Sequence, residues 1–91
     1  MKYVHNEAQS RYELHLDGRL VGKAEYRRED GRIVFTHTLI EPAHEGQGLG
    51  SKLAGYALDD VKTRGLKAVA KCSFIARFIE KHEKEYAGLV E

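Results

Sequence analysis

The chain has 91 residues, 42% of them hydrophobic and 32% charged, with a net charge of +1 at neutral pH. A chain of that length buries one modest core, so a single domain over residues 1–91 is expected and a two-domain division is not. The near-zero net charge gives no chain-wide attraction to nucleic acid, and no apolar run approaches the ~20 residues of a membrane span. The N-terminus lacks the apolar segment of a secretory signal, and the single cysteine, Cys72, has no partner for an internal disulfide. The expectation is a cytoplasmic protein, monomeric or weakly dimeric, with neither nucleic acid nor membrane as a partner.

Tyr12, Leu14 and Leu16 alternate with Arg11, Glu13 and His15 and run into Asp17-Gly18, a turn signal followed by a second apolar run from Leu20 to Tyr26. Asp30-Gly31 marks another turn. Ile33 to Ile40 then forms a β-branched and aromatic run in which Phe35, His37 and Leu39 are expected to share one face. A three-strand antiparallel meander is the economical reading. Pro42 closes it, because proline has no ladder donor and restricts the residue before it.

After Pro42 the period changes. Leu49, Leu53, Tyr56, Ala57 and Val61 recur at helical spacing, and Gly65 follows as a C-terminal stop. Leu66, Ala68, Ala70 and Cys72 then alternate with Lys67, Val69 and Lys71, which reads as a strand. A helix between two strands is a crossover, so this strand should lie parallel to the one ending at Ile40. Ser73 is expected to cap a last helix with Phe74, Ile75, Phe78, Ile79 and His82 on its inward face, and Tyr86, Leu89 and Val90 to dock the tail. The fold class is therefore α+β, in the order β-β-β-α-β-α.

Gly46, Gly48 and Gly50 alternate directly before the first helix. A loop whose peptide N–H groups converge at the positive end of a helix binds phosphate without a cationic side chain, and glycine lets the anion approach. This is not a nucleotide P-loop: three residues, not four, separate Gly46 from Gly50, and Ser51-Lys52 stand in the wrong order. Nor does Gly46 or Gly48 begin the Gly-x-Gly-x-x-Gly of a dinucleotide fold. Taken alone, the glycines are equally compatible with a tight strand-to-helix turn.

The context resembles a known family. Glu45-Gly46-Gln47-Gly48-Leu49-Gly50 is similar to the Gln/Arg-x-x-Gly-x-Gly/Ala motif of the GNAT acetyltransferase superfamily, and the chain resembles its very small stand-alone members. The shared features are the meander, His37-Thr38 before the loop, Cys72-Ser73-Phe74 after the second strand, and a closing His-x-x-x-Tyr-x-x-Leu-Val from His82 to Val90. The resemblance spans roughly residues 10 to 90. It implies acetyl-coenzyme A as cofactor, with the pyrophosphate cradled by Glu45, Gly46, Gln47, Gly48, Leu49, Gly50 and Ser51. It also implies that backbone amides near Leu39 and Ile40 face the thioester and that the acetyl group passes to an amine acceptor.

Two departures stand out. Glu45 occupies a position usually held by Gln or Arg, and Glu80 the place of a tyrosine that serves larger members as an acid. The helices and strands that build an acceptor pocket in larger members have no counterpart, so acceptor binding should be open or supplied by a partner.

By the same resemblance His37 and Cys72 are the catalytic candidates. Each has a plainer reading. Cys72 is in phase with apolar Leu66, Ala68 and Ala70, as a core cysteine would be, although it also stands at a helix start, where the dipole favours thiolate. His37 lies on a mostly apolar strand but has the near-neutral titration of a general base. His44, two before Gly46, is placed to contact phosphate or to be solvated at the loop tip, and solvation is the expectation. Lys52, Lys67 and Lys71 are candidates to attract the cofactor's 3'-phosphate, or are simply solvated helix and strand faces. The five histidines show no ligand spacing, so no metal is expected. An alternative to the enzyme is a coenzyme A-binding module with little or no activity.

Overall fold

The structure, a computed structural model, describes residues 1–91. Five strands form one sheet in sequence order: β1 (Lys2–Asn6), β2 (Arg11–Leu16), β3 (Arg19–Glu29), β4 (Arg32–Ile40) and β5 (Lys67–Ala70). The first four are antiparallel, and β5 runs parallel to β4. Helix α1 (Leu49–Thr63) makes the crossover, and α2 (Ser73–Lys81) and the short α3 (Glu83–Tyr86) follow. The α+β order expected from the sequence is present, with β1 added at the edge and α3 at the end.

Local chemistry explains the elements. Asp17 and Gly18 both have positive φ, 50° and 76°, as the tightest two-residue hairpin requires, so β2 returns directly into β3. The alternation of β2 places Tyr12 and Leu14 in the core and Glu13 on the other face. The helical period of α1 buries Leu49, Leu53, Ala54, Ala57, Leu58 and Val61, and Gly65 ends it at φ 72°.

The α1 face packs on β2, β3, β4 and β5, and α2 lies beside α1. Ile75 and Phe78 of α2 join the same core as Phe35 and Ala68. The tail extends the sheet past β5: Ala68 donates its N–H to Leu89 and accepts from Glu91, each at 2.9 Å. No helix is long and apolar enough to cross a membrane.

Candidate active site

The site lies where β4 and β5 part. Their pairing runs only from Arg32 opposite Lys67 to Phe35 opposite Ala70, with one further bond from Lys71 N–H to the Phe35 carbonyl at 3.0 Å. Beyond that point β4 continues to Ile40 while the other chain turns into α2. A bulge accompanies the parting. The β3–β4 register slips between Glu25 and Tyr26, leaving Thr36 as an extra residue whose hydroxyl donates to the Glu25 carbonyl at 3.3 Å.

The bulge exchanges the faces of β4. Ile33 and Phe35, before it, are buried against the helices; after it Thr38 and Ile40 turn inward, and His37 and Leu39 are exposed on the other side. A Cβ added at Gly22 would stand 2.7 Å from Ile40 Cδ1 and 3.5 Å from Leu53 Cδ2 of α1, which fixes Ile40 on the helix side. The expectation that Phe35, His37 and Leu39 share a face therefore fails at Phe35, because the register is reset between them.

The backbone follows the same parity. Glu41 N–H donates to the Val21 carbonyl at 2.8 Å. Alternation along an antiparallel ladder then directs the Leu39 N–H to β3 and turns the N–H groups of Thr38 and Ile40 toward the β4–β5 opening. Of the two amides expected to face a thioester, that of Ile40 turns to the β4–β5 opening, whereas that of Leu39 is in the ladder and Thr38 stands in its place.

Past Ile40, Pro42–His44 makes one 3-10 turn, Glu45 is extended, and Gly46 and Gly48 take φ of 81° and 74°. Both have open space where a side chain would project, so it is conformation that calls for glycine there. Gly50 is different. A Cβ on it would lie 2.7 Å from Phe74 Cζ, so its missing side chain lets α2 pack over the start of α1.

Gly48 is the N-cap of α1 and supplies no side chain, and Lys52 N–H to the Gly48 carbonyl, 3.2 Å, closes the first turn. The N–H groups of Leu49, Gly50 and Ser51 consequently have no partner within the helix. They border a cleft of about 220 Å³ that is also walled by Ile40, Glu45, Gly46 and Gly48. Gln47 is exposed and does not line it. His44 does line it: its ring is half-buried and its Nδ1 is fully covered with no hydrogen-bond partner, which corrects the expectation of a solvated loop tip.

His37 and Cys72 are not brought together. The His37 side chain is 71% exposed, with Nδ1 3.9 Å from Glu25 Oε1, and Glu25 also meets Lys23 Nζ at 3.3 Å. Cys72 is the N-cap of α2, a role the sequence reading gave to Ser73, which instead begins the helix. The half-buried Cys72 thiol meets the Thr38 hydroxyl, Sγ to Oγ1 3.4 Å. Since Thr38 and His37 point to opposite faces of β4, Cys72 and His37 are separated by the sheet. Thr38 is the site residue that sequence reasoning missed. Only the bulge brings it to the opening, and a bulge has no signature in one strand alone.

Residues 11–89 match the family model described as GCN5-related N-acetyl-transferase. The chain belongs to this family. A putative GCN5-like N-acetyltransferase from Staphylococcus aureus, known in solution, superposes with a TM-score of 0.74 at 23% identity, covering 99% of this chain and 87% of that one. The Escherichia coli ribosomal-protein-S18-alanine N-acetyltransferase gives a TM-score of 0.59 at 20% identity over 71% of this chain. A Brucella melitensis ribosomal-protein-alanine N-acetyltransferase gives 0.57 at 22% identity over 89% of it. The matched region spans only 38% and 62% of the length of these two enzymes. No curated protein matches the chain.

For an N-acetyltransferase the arrangement is chemically coherent. The parted strands present free amides, the loop presents a helix N-terminus, and the bulge sets one histidine on the far face. Glu80 is exposed on α2. Lys67 is removed from the loop altogether, since its Nζ donates to the Gly88 carbonyl at 2.6 Å beneath the tail. No three His, Cys, Asp or Glu side chains converge as a metal site.

Proposed function

We propose that this N-acetyltransferase binds acetyl-coenzyme A with its pyrophosphate on the unpartnered amides of Leu49, Gly50 and Ser51, and passes the acetyl group directly to an amine. The observation that carries this reading is the uncapped start of α1, reached through left-handed Gly46 and Gly48 and placed at the mouth of the β4–β5 opening. Amides at a helix N-terminus stabilise phosphate through both hydrogen bonds and the dipole.

The acetyl donor is a thioester, whose carbonyl oxygen gains charge as an amine attacks. The N–H groups of Thr38 and Ile40 meet that oxygen in the opening. His37, whose Nδ1 lies 3.9 Å from Glu25 Oε1, takes the proton of the attacking amine on the face away from the helices, and as the tetrahedral adduct collapses the thioester C–S bond breaks and coenzyme A leaves as the thiolate. The separation of His37 from Cys72 supports direct transfer over an acetyl-cysteine route, because the thiol has no histidine in contact to deprotonate it.

Calorimetry with acetyl-coenzyme A tests the loop. The wild-type chain should bind, and Gly48→Asp should not, because the new carboxylate would accept the α1 amides in place of phosphate and repel it. Undiminished affinity in that variant would overturn the assignment. Intact mass after incubation tests the route: direct transfer leaves the protein mass unchanged, whereas a stable gain of one acetyl group that disappears in Cys72→Ala would establish the covalent path.

A further inference from the structure

A second groove adjoins the loop cleft, and two cations line it with no carboxylate among its walls. It has a volume of about 140 Å³ and is lined by Ser51, Phe74, Arg77, Phe78, Lys81 and His82. Ser51 and Phe74 are walls of both depressions, so the two meet across the first turns of α1 and α2. On its other side the loop cleft is walled by Ile40, at the opening where the thioester is expected. A ligand anchored by its pyrophosphate therefore has two ways to leave the loop: toward β4, or over Ser51 into this groove.

We propose that Arg77 and Lys81 form a subsite for the 3'-phosphate of coenzyme A, so that this enzyme selects the 3'-phosphorylated coenzyme over its dephospho form. The proposal rests on the coenzyme reading of the loop. No carboxylate lines the groove, and neither the Arg77 nor the Lys81 side chain makes a hydrogen bond or an ion pair. Arg11, Arg19, Lys23, Arg27, Arg32 and Arg64, in contrast, are held by carboxylates, so their charge is already matched.

The two cations are four residues apart on α2 and so lie on one side of it, spaced to hold a dianionic phosphate between them. Glu80, Glu83 and Glu85, the nearby acids, line an adjoining groove that shares Lys81 and His82 with this one. His82 is a wall. Its Nδ1–H donates to the Phe78 carbonyl at 2.9 Å, and its ring rests on that of Phe78, centroids 4.1 Å apart. Phe74, 38% exposed at the junction of the two depressions, offers the adenine an aromatic surface.

The other direction suits a different part of the ligand. The hollow on the β4 side of the loop is lined by Leu20, Val21, Leu39 and Ile40, an apolar wall for the nearly neutral pantetheine arm, with Lys23, Glu41 and Glu45 giving it no net positive charge to draw a phosphate.

The test is calorimetry of coenzyme A against 3'-dephospho-coenzyme A, for the wild type, Arg77→Gln, Lys81→Gln and the double variant. Both residues are exposed, and circular dichroism melting checks that each variant folds. The wild type should prefer coenzyme A by roughly tenfold or more, as for a charge-assisted pair of bonds. That preference should shrink as salt is raised. The double variant should bind the two forms nearly alike and hold dephospho-coenzyme A as well as the wild type does. Equal wild-type affinities for the two forms would overturn the subsite. So would a double variant that weakens both forms equally, since its cations would then serve the pyrophosphate. Failure of both forms to bind the wild type would overturn the loop reading itself.

Discussion

His37 stands in solvent on the sheet face that no helix covers, a poor place for a packing residue and a good one for a base that must meet a diffusing amine. Removing a general base typically lowers turnover by about 10²-fold or more without disturbing ground-state binding. His37→Gln should therefore lose about 10²-fold in kcat while its affinity for coenzyme A by calorimetry stays within error of the wild type. Turnover equal to the wild type would remove His37 from the chemistry and leave the amine to lose its proton to water. The same variant should melt at the wild-type temperature, since the side chain buries little and its single charged neighbour, Glu25, keeps Lys23 as a partner.

Among the elements, the contact of α2 with the start of α1 couples the loop to the core. Gly50→Ala would force its Cβ to within 2.7 Å of Phe74 Cζ, so either the ring or the helix start must move. Overpacking of this kind costs about 1–3 kcal/mol. A urea titration should show that loss, and Phe74→Ala in the same chain should return most of it, because the ring is the atom group in the way. An unchanged midpoint in Gly50→Ala would mean that Phe74 swings into solvent at no cost. What was legible in the sequence sorts along this line. The alternation of β2 and the period of α1 depend on each element's own residues and read directly from them. The strand β1, five residues with no turn signal before it, offers too short a pattern and takes its identity from pairing with β2. The bulge at Thr36, the inward turn of Thr38 and the clearance at Gly50 depend on a partner that lies elsewhere in the chain. The glycine loop and its helix were visible; the division of labour among the glycines was not.

At the scale of the whole molecule, two adjacent carboxylates near the end of α1 tie the two ends of the chain to the middle. Asp59 Oδ1 accepts from the Tyr86 hydroxyl of α3 at 2.8 Å, and Asp60 Oδ2 accepts from the Tyr12 hydroxyl of β2 at 2.9 Å and from Arg64 Nε at 2.7 Å. The edge strand joins through His5. Its ring stacks on Tyr12 with centroids 4.1 Å apart, Nε2 meets the Tyr26 hydroxyl at 2.7 Å, and Nδ1 lies 3.3 Å from Asp60 Oδ2 without hydrogen-bond alignment. Burial pulls the His5 pKa below its ordinary 6.5, against the raising effect of Asp60. Protons then bind the unfolded chain more readily than the folded one, so this contribution is complete above pH 6.5 and is lost as pH falls from there toward the lowered folded value. Glu13 acts in a lower window. Burial alone would raise its pKa, but hydrogen bonds from His15, Arg11 and Asn6 outweigh it and bring the group to about 2, so its contribution is complete above 4.5 and declines only below that. The melting temperature should accordingly fall in two stages on acidification, and His5→Phe, which keeps the stacking and cannot take a proton, should abolish the first stage and leave the second. A variant that still loses its stability just below pH 6.5 would show that another group, and not the histidine under the edge strand, sets the first stage.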